Sequence, residues 1–402
     1  MTTGWQIKRL GDLCQVIGGG TPSKNQAEYY SGNIPWATVR DMRQEVISET
    51  ECKITREAVK NSATNIIPAG NVVIATRVGL GKVCLLGQDT AINQDLRGII
   101  PNDPKTLSVR FLFSWLRSVA HLIVAEGTGA TVQGVKLPFV KSLKVPIPPL
   151  FEQQRIVATL DQAFASIATA KGNAEKNLQN ARDLFESHLQ FVFTQHGEGW
   201  AKKQLKALTT KIGSGATPRG GEEAYKAEGI SLIRSLNVHD MGFLHRKLAF
   251  LDDAQAKGLS NVVVQSHDIL LNITGASIAR CCIAPDDVLP ARVNQHVSII
   301  RPISDHLDAE FLHYLLISKP YKGQLLKTGE EGGSTRQAIT KAQIQEFAIE
   351  YPESLKEQKL IVAKLNAILS ETQRLESIYQ QKLAALDELK KSLLQQAFTG
   401  GL

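Results

Sequence analysis

Cysteine is scarce and odd in number: Cys14, Cys52, Cys84, Cys281 and Cys282 make five, with no Cys-x-x-Cys and no histidine at metal-ligand spacing. That argues against a disulfide frame and a zinc site, and the five are expected to be reduced packing residues. No apolar run reaches the ~18 residues of a membrane span. Met1 to Leu10 lacks the apolar core of a secretion signal, so a cytoplasmic protein is expected.

The usual signatures of catalysis are missing as well. "GATVQGVK" at 129–136 has the Gly-x4-Gly of a phosphate loop, but Val135 and Lys136 follow where Lys-Ser/Thr is required. "GGGTP" at 18–22 is no dinucleotide fingerprint, because Thr-Pro interrupts the turn where a helix should begin. Asp41 with Glu51 and Lys53 imitates a nuclease set, yet the corresponding stretch further on reads His245-Arg246-Lys247. The vicinal Cys281-Cys282 pair reads as packing rather than redox chemistry.

What is present is a folded chain of 402 residues, 43% hydrophobic and 21% charged, too long for one ordinary core. Of its net charge of +7, residues 1–150 hold +6, with 17 Lys+Arg against 11 Asp+Glu. A basic first segment hints at a polyanion partner.

The chain is written twice. Gly4-Trp5 returns as Gly199-Trp200, "GGGTPS" at 18–23 as "GSGATPRG" at 213–220, and "AINQDLRGIIP" at 91–101 as "RVNQHVSIIRP" at 292–302. "LFESHLQFVFTQ" likewise answers "LKKSLLQQAFTG". Such self-similarity is a tandem duplication. Each copy opens with short β-branched runs such as "NVVIATRV" and "DILLNIT", bounded by Gly, Asn and Pro, which predicts a mixed, mostly β domain. It then passes through a proline cluster into an amphipathic run of about 44 residues, roughly 66 Å as a helix.

Apolar or small residues fall at alternating steps of three and four: Ile156, Leu160, Ala163, Ile167, Ala170, Ala174, Leu178, Ala181, Leu184, His188 and Val192. The second copy repeats the pattern at Ile361, Leu365, Ile368, Thr372, Leu375, Tyr379, Leu386, Leu389, Leu393 and Ala397. That is a coiled-coil seam. Neither helix could stand alone in water, so the two are expected to pair, antiparallel, with pseudo-twofold symmetry. The predicted class is α+β: globular domains at 1–150 and 198–352, each followed by a long helix, at 151–197 and 353–402.

The helix opening "PPLFEQQRIVATLD", the Gly-Gly-Gly-Thr-Pro turn after Gly-Trp, the Asn-Gln pair and the closing "FTG" resemble the specificity subunits of type I restriction-modification enzymes. The resemblance covers the whole chain in its order of parts, departing at Glu353-Ser354-Leu355-Lys356-Glu357-Gln358, where the first copy has Pro-Leu-Phe-Glu-Gln. It implies a non-catalytic reader of double-stranded DNA. Each domain would recognise half of a split, asymmetric target, and the helices would fix the gap and dock two methyltransferase subunits and restriction subunits. S-adenosylmethionine would belong to the methyltransferase partner, ATP and Mg to the restriction partner, and no cofactor to this chain. The rival readings are a methyltransferase or nuclease with its own recognition domains, and a protein-binding adaptor that does not touch DNA.

If the two domains read different half-sites, polar residues identical in both cannot carry the difference. Thr21/Thr217, Pro22/Pro218, Asn93/Asn294 and Gln94/Gln295 are thus expected to be shared scaffold or phosphate positioning; for the Asn-Gln pairs an amide capping a turn is the favoured reading and bidentate reading of adenine the alternative. Specificity should lie where the copies diverge at exposed loops. The candidates are Lys24, Arg40, Arg43, Arg77, Lys82, Gln133 and Lys136 in the first domain. In the second they are Arg219, Arg234, Asn237, Asn272, Thr274, Arg280, Arg336 and Gln337. Gly18, Gly19, Gly213 and Gly215 would permit close backbone approach to phosphate or tight turns, and tight turns are the expected role.

Overall fold

The computed structural model describes residues 4–127, 134–195, 199–330, 338–399 and 401. They form two units, Met1–Glu175 with Gln381–Leu402, and Lys176–Gln380.

In the first unit, Gln6–Arg9 pairs antiparallel with Lys144–Ile147. A five-stranded mixed sheet runs in the order Cys14–Gly18, Leu96–Pro101, Val72–Ala75, Val83–Leu86, Val46–Ile47. A four-stranded sheet runs Cys52–Ile54, Ile34–Ala37, Thr90–Ile92, Asn65–Ile67. The run "VVIA" is buried throughout because successive side chains of a strand face opposite ways. Val72 and Ile74 join a core with helix α1 (Val109–Ser118), while Val73 and Ala75 join a second core with Ala37, Ile67 and Ile92 of the smaller sheet. Covered on both faces, the strand needs no polar alternation.

The second unit repeats the plan. Trp200–Gln204 pairs with Ala348–Pro352, and four-stranded sheets run Thr209–Ser214, Val297–Pro302, Ile269–Asn272, Cys281–Ile283 and Ala249–Leu251, Ile230–Ile233, Ala291–Val293, Val263–Val264. Where the first unit has the edge strand Val46–Ile47, this one has a hairpin of Val238–His239 with Gly242–Phe243. Cys281 faces the helix-side core and Cys282 the inter-sheet core, so the vicinal pair is split across a strand. Burial holds the Cys281 thiol well above its ordinary pKa and pushes Cys14 and Cys282 up to about 12 and Cys84 to about 11, keeping all four protonated. Cys52 is exposed, which corrects its expected place in a core.

The long helices are α2 (Leu150–Thr194) and α3 (Leu355–Thr399), 45 residues each. They pair antiparallel. In the first unit Phe164 meets Lys390 and, further along α2, Lys171 bonds Asp387 at 2.7 Å. In the second, Arg182 bonds Glu376 at 3.2 Å. Each unit also draws helix ends into its globular core: Ile156, Leu160 and Ala397 in the first, Phe185, Leu189, Phe193, Val362 and Leu365 in the second.

The predicted seam holds at Ile156, Leu160, Ile167, Ala174 and Ala181, all buried. It then slips by one residue. Leu184 is 51% exposed, and Phe185, Leu189 and Phe193 are buried in its place. Steps of four continue there because the partner is no longer a thin helix alone. Phe185 packs edge-on against Tyr314, and Phe193 against Phe311, of a globular core. Leu389 is likewise 46% exposed, outside the seam assigned to it.

Candidate nucleic-acid interface

The matching strands of the two units superimpose by register. Ala75 faces Leu96 as Asn272 faces Val297, so Arg77 corresponds to Thr274. Each of these continues as a bridge, to Gly134 and to Ala338 respectively. Trp36–Ala37 pairs parallel with Ala91–Ile92 as Leu232–Ile233 does with Arg292–Val293, which aligns Asn93-Gln94-Asp95 with Asn294-Gln295-His296.

A groove of about 820 Å³ opens in the first unit, lined among others by Thr21, Lys24, Thr38, Arg40, Asp41, Val78, Gln94 and Asp95. The matching place in the second unit holds a shallower groove of about 480 Å³, lined by Ser235, Leu236, Thr274, Ser277, Arg280 and His296 among others. The same three loops frame both: 38–41 and 234–237, 76–79 and 273–277, 93–95 and 294–296.

What the copies share is structural. Thr21 Oγ1 donates to Gln94 Oε1, and Thr217 Oγ1 to Gln295 Oε1, tying the Thr-Pro turn to the Asn-Gln loop in both units. Asn93 Oδ1 accepts from Asp95 N at 3.1 Å and Asn294 Oδ1 from His296 N at 3.0 Å, the turn caps anticipated for these buried amides. The glycines differ from expectation. Gly19 and Gly215 do not have positive φ. A Cβ on Gly19 would stand 2.2 Å from the Ile92 carbonyl oxygen, and one on Gly215 1.8 Å from that of Val293, so both are sites of close backbone crossing rather than tight turns.

Of the nominated residues, Thr21, Lys24 and Arg40 line the first groove, and Arg77 stands on its rim beside Val78, its guanidinium 3.8 Å from Asp95. Arg43 is exposed and ion-paired to Glu51. Lys82 closes the 79–82 turn and Lys136 precedes the helix Leu137–Ser142, both exposed. In the second unit Thr274 and Arg280 line the groove, Thr217 adjoins it through Gln295, and Arg219 is exposed. Gln133, Arg336 and Gln337 lie outside the described residues.

Three nominations are not the exposed loop residues expected. Asn237 is fully buried, its Oδ1 accepting from Arg234 N and its Nδ2 donating to the Leu244 carbonyl. Asn272 is fully buried, donating to the Ser235 carbonyl and to Ser277 Oγ. The Arg234 side chain is 12% exposed, lies over the Tyr225 ring, and bonds Glu222 and the Lys247 carbonyl. The copies diverge at these positions, but divergence marks altered packing as readily as altered recognition.

Asp95 and His296 were missed. They follow the shared Asn-Gln directly, and their mismatch was the available signal. His296 Nδ1 lies 2.6 Å from Thr274 Oγ1 and its Nε2 3.1 Å from Gln295 Nε2. In the first unit burial, and after it the Arg77 charge, lower the pKa of Arg97, with Asp95 opposing. Asp41 bonds Thr38 N and Glu51 N through its two oxygens, and Glu51 pairs with Arg43. The nuclease-like set is therefore occupied by its own loop. Among the described residues no group of His, Cys, Asp and Glu could hold a metal, and no helix is long and apolar enough to cross a membrane.

Comparison with known proteins agrees with this arrangement. A type I restriction enzyme specificity subunit of Escherichia coli is 36% identical over 194 residues, 46% of this chain and 48% of that relative, so the match spans about half its length. The MjaVIII specificity subunit of Methanocaldococcus jannaschii is 24% identical over 98% of this chain and 92% of its own. The crystal structure of the HsdS subunit from Thermoanaerobacter tengcongensis shares the fold, with a TM-score of 0.69 at 21% identity over 100% of this chain and 98% of that one. A structure from work on complex assembly and conformational transition of the type I R-M system gives 0.75 at 21% identity, over 100% and 99%. The model of the type I restriction modification DNA specificity domain matches residues 2–179 and 197–384, and the chain belongs to that family, carrying the domain twice.

Proposed function

We propose that this chain is the non-catalytic subunit that reads a bipartite, asymmetric DNA target for a type I restriction-modification complex. The observation that carries it is one groove built twice on the same Thr–Gln brace, with different side chains at matched positions. A reader of two unlike half-sites needs that combination. Members of the family work in complexes with DNA and other subunits. Here those are two methyltransferase subunits and the restriction subunits. S-adenosylmethionine is held by the first and ATP with Mg by the second, with no cofactor on this chain.

Residues 1–150 and 198–352 serve as the recognition domains, and the helices at 151–197 and 353–402 as spacer and docking surface. The exposed candidates Lys24, Arg40, Arg43, Lys82, Lys136 and Arg219 contact phosphate or base edges, with Arg77, Thr274 and Arg280 nearer the bases. Selection of binding sites by the full chain from a randomised duplex library tests this. Two conserved half-sites separated by a fixed gap are expected, with binding that weakens as salt rises. Arg77→Ala should weaken one half-site by ~1–3 kcal/mol if the guanidinium reads a base. Failure of the unaltered chain to select any split sequence would overturn the reading.

A further inference from the structure

The two grooves differ at a matched pair of positions that stand beside the shared brace. In the first unit, Arg77 is 47% exposed on the rim with the Asp95 carboxylate 3.8 Å behind it. In the second, the same two positions hold Thr274 and His296, 2.6 Å apart. Beneath both lies the identical brace, Thr21 to Gln94 and Thr217 to Gln295, with the capping asparagine one residue earlier. The brace beneath is thus the same in both units while this pair above it changes character.

The pairs present different faces to a ligand. A guanidinium offers two parallel donors in a planar fork, and here the Asp95 carboxylate lies within ion-pair distance behind it. Gln295 Nε2 can only donate, so His296 Nε2 accepts and its Nδ1–H donates to Thr274 Oγ1. The Thr274 hydroxyl then keeps its own proton to give outward, a single donor in place of a fork. A two-pronged donor matches O6 and N7 of guanine in the major groove, and a lone hydroxyl cannot reproduce that discrimination.

We propose that the pairs Arg77–Asp95 and Thr274–His296 are matched specificity determinants, Arg77 selecting guanine in one half-site and Thr274 a different base at the equivalent place in the other. This rests on the DNA-reading function proposed above. It names which residues separate the two half-sites and leaves the Thr–Gln brace without a reading role.

The test is binding-site selection on a randomised duplex library with the full chain, unaltered and carrying Arg77→Thr with Asp95→His. The double variant should lose a guanine at one position of one half-site, by about 5- to 150-fold in preference for that base, with the other half-site unchanged. Arg77→Lys guards against a fold defect: it keeps the charge but not the fork, so overall affinity and salt dependence should persist while guanine preference falls. If the variants keep the parental preference, or lose affinity equally for all sequences, the assignment of the pair is overturned and the reading of DNA by the chain stands. If the unaltered chain selects nothing, it is that reading which fails.

Discussion

Gln153 and Gln358 show what the repeated Glu-Gln at the helix starts is for. Each is fully buried. Gln153 Oε1 accepts from Ser108 N at 2.9 Å, and its Nε2 donates to the carbonyls of Thr106 and Pro148. Gln358 repeats all three bonds with Asp308 N, His306 and Pro352. The amide thereby ties the start of each long helix to the loop before the short helix of its domain and to the proline bend. A glutamate would point a charge at two carbonyl oxygens, and an alanine would orphan three backbone groups. Gln153→Ala should cost about 2–4 kcal/mol, since each buried group left unpaired costs about 1–3 and water can reach some of them. A lowered denaturant midpoint for the first unit, with Gln153→Glu no better, is the expected result. The sequence displayed this motif but not its partners, which lie up to 52 residues away.

At the scale of elements, the helix Ala309–Ile317 shows how packing sets a proton's fate. His313 Nε2 donates to the carbonyls of Asp240, at 2.9 Å, and Cys281, at 3.2 Å. Burial outweighs those carbonyls and the nearby Asp240 and Glu310 charges, so the ring's pKa is lowered from its ordinary 6.5. The folded ring stays neutral where the unfolded chain takes a proton. Its contribution is therefore present above the unfolded pKa and is lost as pH falls from about 6.5 towards the folded value. Melting of the second unit should be less stable at pH 5.5 than at pH 7.5, and His313→Gln, which keeps an N–H donor but cannot titrate, should flatten that difference. At this scale the elements themselves were legible, because β-branched runs and three-four spacing report directly on strand and helix. The slip of the buried face from Leu184 to Phe185 was not, because it depends on Tyr314 of a distant helix.

For the whole molecule, the proposed role of the helices as a spacer makes a metrical claim. Adding one heptad to each helix at matched points preserves the seam and lengthens the pair by about 10 Å at ~1.5 Å per residue. At ~3.4 Å per base pair the preferred gap between half-sites should grow by about three base pairs. Site selection with the lengthened chain measures it, and an unchanged gap would remove the spacer role. Inserting two residues instead should damage stability, because at 3.6 residues per turn it rotates the apolar stripe by about 200°, away from its partner.

The sequence by itself determined that there are two copies, that each joins a mostly β domain to a long helix, and that neither helix could remain unpaired. Those conclusions follow from periodicity and self-similarity, which are local or statistical properties of the chain. Tertiary structure alone decided which polar residues face outward. Asn237, Asn272 and Arg234 diverge between copies as a reading residue should, yet their hydrogen bonds lie inside the fold. Asp95 and His296 look like ordinary neighbours of a conserved turn until strand register sets them beside Arg77 and Thr274. A side chain's availability to a ligand depends on what its own protein has already bonded to it, and those partners lie anywhere from three to several dozen residues off along the chain.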